Sequence, residues 1–194
     1  MYNAYAVGQR VYLRHPTAAD VEGRWHEWLS DEHTMMWAES LYWPNSIERQ
    51  RKFYESIQGA ADRLVLSIVD KADDRHIGIC NLSSINWVHR FCDVAIIIGE
   101  PDFRQGPHAL DAFAALIRIA FLRLNMQIVR SVYMARNEAS KRMHDVLRFQ
   151  TVGRIPNLYT VQGKATDSVI AILRQDEWMA RNGVTTAANT EGAA

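Results

Sequence analysis

The sequence predicts a mixed α/β (α+β) domain, a sheet with helices on both of its faces. Three observations carry this. Strand-like and helix-like patterns alternate along the 194 residues. The run 94–98, Val-Ala-Ile-Ile-Ile, is short, apolar throughout and bounded by turn residues, the mark of a strand covered on both faces. It leads through a polar loop, 99–107, into 109–124, which is apolar almost all round and so reads as a buried helix. A hydrophobic content of 48% over this length is enough for one domain with a full core.

The elements follow in order. Residues 10–14 alternate and are rich in strand formers, so they make a first strand. Thr17-Ala-Ala-Asp20 is a capping-box pattern, and Val21, Trp25, Trp28 and Leu29 then recur on one face of a single helix. Residues 31–45 read as irregular and hold Trp37, Tyr42 and Trp43. Ser46 can cap a second helix with Ile47, Phe53, Tyr54 and Ile57 on its apolar side. Strands at 64–69 and 77–82 make a hairpin around the polar turn 70–75, and the turn 86–90 leads into the strand that ends at 98. After the central helix come a strand at 128–134 and a helix capped by Asn137. Two closing strands follow, at 152–159 and 168–173, with Gln162-Gly-Lys164 in the turn between. Residues 1–181 read as a single domain, and 182–194, small and polar, as a flexible tail.

Composition narrows the function classes. The formal net charge is zero and basic residues are scattered, so neither direct nucleic-acid binding nor membrane association is expected. Cys80 and Cys92 lie in or beside apolar strands and read as buried free thiols of a reducing compartment. Residues 1–9 lack the pattern of a signal peptide, and no apolar run reaches the ~18 residues of a membrane span, so a cytoplasmic location is expected. The seven histidines show no zinc-ligand spacing, and there is no nucleophile elbow and no Walker loop. The loop 99–107 remains. A loop that ends at a helix N-terminus presents unpaired N–H groups and a partial positive charge, which suits a phosphate.

Three stretches carry a family resemblance. Val11-Tyr-Leu-Arg14 with Asp20 resembles an opening L-R-x-x-x-x-x-D. Ile98-Gly-Glu-Pro-Asp-Phe-Arg-Gln-Gly-Pro-His-Ala-Leu-Asp-Ala112 resembles I-G-x-x-x-[FYW]-[QRW]-G-K-G-x-[GA]-T-E-A. Asn137-Glu-Ala-Ser140 through Phe149 resembles N-x-x-[SA] followed by L-G-F. In this order they resemble the GNAT superfamily of acyl-CoA-dependent N-acyltransferases, in the branch of the ribosomal-protein N-terminal and spermidine acetyltransferases. The resemblance covers roughly residues 10–178. It implies a mixed, mostly antiparallel sheet and direct acyl transfer, from acetyl-CoA without a metal, to a primary amine on a small molecule or peptide. A homodimer is in keeping with that branch.

The resemblance also assigns residues. The central strand would splay from its neighbour, with Ile97, Ile98 and Gly99 along the pantetheine arm. Arg104, Gln105, Gly106, Pro107, His108 and Ala109 would meet the pyrophosphate. Asn137, Ser140 and His144 share one helix face; Asn137 and Ser140 would cap that helix and face CoA. His144 stands where many relatives have a tyrosine that protonates the leaving thiolate, and would be the general acid. Asp93 would orient the amine or a base water, or else pair with Arg90 or Arg130. Glu32, Trp37, Glu39 and Tyr42, with Asp31 and Trp43, would hold a cationic acceptor by charge and cation–π contact.

One residue departs from the pattern. Pro107 replaces the loop's central glycine and has no N–H to donate. It suits a first helical position, at the loss of one hydrogen bond worth about 1.5–3 kcal/mol to a charged group. Two rival readings follow from it: a different donor or reaction on the same fold, or a domain that binds without turnover.

Overall fold

The computed structural model describes residues 3–38, 43–104 and 106–184. The chain opens with two short strands, β1 (Ala6–Val7) and β2 (Val11–Arg14), and four helices, α1 (Ala18–Glu22), α2 (Trp25–Trp28), α3 (Glu32–Met35) and α4 (Ile47–Ser56). Three strands follow, β3 (Leu64–Asp70), β4 (His76–Asn86) and β5 (Phe91–Ile98). The central helix α5 (His108–Leu122) leads to β6 (Ile128–Met134), and α6 (Glu138–Val146) to β7 (Gln150–Val161), β8 (Lys164–Arg174) and α7 (Gln175–Asn182).

The strands form one sheet in the order β1-β2-β3-β4-β5-β6-β8-β7. Every neighbouring pair is antiparallel except β5 and β6. A parallel pair needs a crossover, and α5 supplies it. The mixed, mostly antiparallel sheet of the sequence reading is therefore the architecture found.

Alternation along the strands makes two cores, one on each face. Leu66, Ile68, Cys80, Leu82, Cys92 and Val94 face the buried side of α5, where Phe113, Leu116, Ile117 and Ala120 meet them. On the opposite face Val65 packs with Val21, Trp25, Trp28 and Ile57 from the early helices. The first turn of α5 is tied to the far edge of the sheet by Asp111. Its carboxylate accepts the backbone N–H groups of Gln9 (3.0 Å), Arg10 (2.7 Å) and Val11 (3.0 Å).

Local signals held where the interaction is local. Thr17 and Asp20 form the capping box, Ser46 accepts from Arg49 N–H, and Asn137 from Ser140 N–H. Corrections fall where longer-range packing intervenes. The single helix expected after Thr17 is two, because Gly23 ends α1 with its N–H on Ala19 O and an extended ψ of −149°. The irregular 31–45 stretch contains α3, capped by Asp31. Strand β1 and helix α7 were not foreseen; α7 closes on Gly183 in the left-handed region, so 182 and 183 belong to a helix end, and residues 185–194 of the expected tail lie outside the described residues. The strand at 94–98 is not covered on both faces. Ala95 is exposed and Ile96 to Ile98 are half-buried, for a reason that lies in its neighbour.

Candidate active site

β5 and β6 pair only through Phe91↔Ile128, Cys92↔Val129 and Asp93↔Arg130. On its other side β5 stays paired with β4 as far as Ile98. From Val94 onward, then, one edge of β5 has no strand beside it, and a wedge opens between β5 and β6. Its N–H and C=O groups along that edge are left to bind something else. The wedge explains the exposure of Ala95 and the half-burial of Ile96 to Ile98.

The chain leaves the wedge at a tightly built corner. A Cβ on Gly99 would stand 1.9 Å from Trp28 Cδ2, so only glycine lets the strand pass the indole. The next residue, Glu100, is buried, and its Oε1 accepts from Arg24 Nη1 (2.6 Å) and Trp28 Nε1 (3.2 Å). Strand, corner and early helices are thus locked together beside the start of α5. Helix α5 begins at His108 with Pro107 as its N-cap and no side-chain cap. The N–H groups of His108, Ala109 and Leu110, in its first turn, therefore have no intrahelical partner. With the positive end of a 15-residue helix, they make a ready site for a phosphate. A wedge with unpaired backbone, opening next to an anion-binding helix N-terminus, is suited to a long ligand with an amide-bearing arm and a phosphate group.

A family model for the acetyltransferase (GNAT) domain matches residues 10–150. The chain belongs to the GNAT family of acetyltransferases. It is an acyl-CoA-dependent N-acyltransferase with acetyl-CoA as donor. No curated protein matches it by sequence alone. Solved structures do match by fold. A spermidine N-acetyltransferase from Vibrio cholerae, in complex with CoA and spermine, has a TM-score of 0.79 at 18% identity, over 88% of this chain and 98% of that one. A GNAT-family acetyltransferase from Bacillus anthracis has a TM-score of 0.74 at 15% identity, over 88% and 98%. A probable acetyltransferase has a TM-score of 0.78 at 19% identity, over 90% and 99%.

Within this GNAT domain, the expected donor residues separate into two groups. Ile97, Ile98 and Gly99 line the unpaired end of β5. Gly106, His108 and Ala109 surround the start of α5, while Gln105 lies outside the described residues. Pro107 stands one place earlier than expected, at the N-cap rather than the first helical position, so the first-turn donors are all retained. Two side chains point elsewhere. Arg104 donates to Thr34 Oγ1 (2.6 Å), Gly99 O (2.9 Å) and Asp31 Oδ2 (3.3 Å), and its own N–H binds Pro101 O. It ties α3 to the loop instead of reaching for phosphate. The His108 ring turns toward buried Asp70, with Nε2 3.4 Å from Oδ1, and sits edge-on to Phe103. Its Nδ1 has no hydrogen-bond partner, and its backbone N–H is free at the start of α5.

Asp93 is held by Arg130 in a fork, Nε to Oδ1 at 2.7 Å and Nη2 to Oδ2 at 2.9 Å, and that guanidinium lies over Phe91. This settles its partner as Arg130 rather than Arg90. The pair occupies the last rung before the strands part.

His144 is buried, at 3% exposure. Its Nδ1 lies 2.7 Å from Ser140 O and its Nε2 2.7 Å from Ser131 Oγ. Tyr133 stacks on the ring, and Phe113 and Phe149 meet it edge-on. Desolvation pushes its pKa below the ordinary histidine value, against the pull of the Ser140 carbonyl and Asp145. Sequence reasoning missed Ser131, which has no motif and is defined only by what it faces. Asn137 and Ser140 form the cap of α6, and Ser140 places its carbonyl on His144.

The acceptor loop is described in part. Glu32 is exposed in α3 and Trp37 half-buried just after it, while Asp31 is occupied by the cap and by Arg104. Glu39 and Tyr42 lie outside the described residues. Trp43 is 72% exposed. Among the described residues no cluster of His, Cys, Asp and Glu could hold a metal ion, and no helix is long and apolar enough to cross a membrane.

Proposed function

We propose that the wedge holds the pantetheine arm of acetyl-CoA, that the first turn of α5 holds its pyrophosphate, and that the acceptor is a small cationic amine of the polyamine class. The observation that carries this is the parting of β5 from β6 after Asp93, immediately before a helix whose first turn keeps its N–H groups free. The amine nitrogen attacks the thioester carbon, the new C–N bond forms, and the C–S electron pair leaves on sulfur. The amine gives up a proton and the thiolate takes one. Alternation along β5 and β6 puts Asp93 and Arg130 on one face of the junction and Ser131, with His144, on the other. Donor and acceptor chemistry can thus act from opposite sides of the same opening.

The acceptor class is supported by Glu32 and Trp37 on the segment tied to the donor loop by Arg104, a negative and aromatic rim for an ammonium group. The fold likeness to spermidine N-acetyltransferases points the same way. Asp93, with both oxygens on Arg130, is a positioning charge rather than a free base. Pro107 does not redirect the donor site, because the first-turn donors begin one residue later.

Calorimetry with acetyl-CoA, followed by thiol release with spermidine, a peptide N-terminus and an amino sugar, tests the reading. Donor binding with turnover on spermidine is the expected result. No binding at millimolar acetyl-CoA would overturn the donor site. Turnover on the peptide alone would overturn the acceptor class and keep the rest.

A further inference from the structure

We propose that Ser131 hands the leaving thiolate its proton, with His144 behind it as the source, so that a serine–histidine relay replaces a single acid. The inference rests on the acyl-transfer reading above. Ser131 is the first residue of β6 beyond the last rung shared with β5, so it stands where the wedge begins. It is 4% exposed and its Oγ lies 2.7 Å from His144 Nε2. A carbonyl only accepts, so the 2.7 Å contact from Nδ1 to Ser140 O fixes a proton on Nδ1. Nε2 is then the nitrogen that gains and loses a proton.

The surroundings leave that proton one route. Phe113 from α5, Phe149 beyond α6 and the Tyr133 ring from β6 wall the imidazole with carbon, at centroid distances of 5.7, 4.9 and 4.6 Å. Among the described residues, Ser131 Oγ is the polar atom in contact with Nε2. The titratable groups nearest the ring are the Tyr133 phenol and Asp145, which is itself paired with Lys141. The polar path from Nε2 toward the wedge thus runs through Ser131, the residue at which β6 parts from β5.

The step balances without a further reactant. As the C–S bond breaks, its electron pair goes to sulfur. The Ser131 O–H bond breaks while S–H forms, and the His144 Nε2–H bond breaks while a new Ser131 O–H forms. His144 ends neutral, and the serine is unchanged. The proton that the amine loses on forming its C–N bond returns through water to the Ser131 oxygen, whose own proton passes to His144 Nε2, and the cycle is complete.

Ser131→Thr and Ser131→Val test this, since the two side chains match in shape and differ in the hydroxyl. The expected result is kcat near wild type for Thr and a fall of about a hundredfold for Val, with acetyl-CoA Kd within about twofold of wild type for both. Adding His144→Asn to Ser131→Val should lower kcat no further than the worse single change, the behaviour of groups that act as a unit. Wild-type kcat in Ser131→Val, or losses that multiply in the double variant, would overturn the relay and leave the donor site standing. A wild-type protein that binds no acetyl-CoA would overturn both.

Discussion

Gly99 shows how one missing side chain shapes the site. The indole of Trp28 fills the space a Cβ would need, so Gly99→Ala must move the strand end or the tryptophan. Overpacking of this kind costs about 1–3 kcal/mol. Thermal melting should show a Tm several degrees lower, at about 2–4 °C per kcal/mol for a chain of this size. An unchanged Tm would mean that the corner yields without strain. Asp20 makes a second residue-scale case. Burial alone would raise its pKa, but Arg14, His76 and Thr17 outweigh burial and hold it at about 2. A carboxylate whose folded pKa lies below its unfolded value stabilises above the unfolded value and loses that contribution as pH falls. The shift from 3.8 to about 2 corresponds to about 2 kcal/mol, lost between about pH 4 and pH 2. Asp20→Asn should flatten that acid limb and cost about 3–5 kcal/mol at neutral pH, because Arg14 is left half-buried without its partner. Denaturant titrations at pH 7, 4 and 2.5 check both. The caps at Thr17, Ser46 and Asn137 were legible in the sequence because each acts within three residues. The roles of Arg104 and His108 were not, because spacing does not say which way a long side chain turns.

Among the elements, α5 has the most to do. It is the crossover that makes β5 and β6 parallel, the lid on one core and the seat of the free N–H groups. Its N-cap proline adopts φ −73° and ψ −5°, a conformation that alanine also takes without strain. Pro107→Ala should therefore keep the helix and restore one N–H. Acetyl-CoA binding should tighten by about tenfold in calorimetry; no change would mean that the N-cap position does not face the phosphates. The clamp from Asp111 to the β1–β2 turn joins residues about a hundred positions apart, and no local pattern could announce it. The same is true of the break at Gly23. A glycine inside a helical pattern is tolerated more often than not, and here the packing of Trp25 and Trp28 against the sheet decides that α1 stops.

For the whole molecule, the two cysteines offer a probe. Cys80 and Cys92 are buried on the α5 side. Burial raises both thiol pKa values, that of Cys92 to about 12, so neither is a thiolate at neutral pH. The native protein should be inert to a disulfide reagent, and both thiols should react once it unfolds. Reaction of either in native buffer would show local opening of that core. The same inertness gives a clean background for measuring CoA release.

The sequence by itself determined the class of fold, the order of the elements and the helix caps. It did so because hydrophobic periodicity and capping act over a few residues. By resemblance it also implied a donor loop, and that loop is where α5 starts. Tertiary structure alone decided which groups face that loop and the wedge. The parting of β5 and β6, the turning of Arg104 toward Thr34, and the burial of His144 against Ser131 depend on contacts between segments far apart in the chain. Periodicity fixes which face a side chain is on, whereas packing fixes what it meets there. For His144, that meeting is with the Ser131 hydroxyl in a buried, aromatic-walled site.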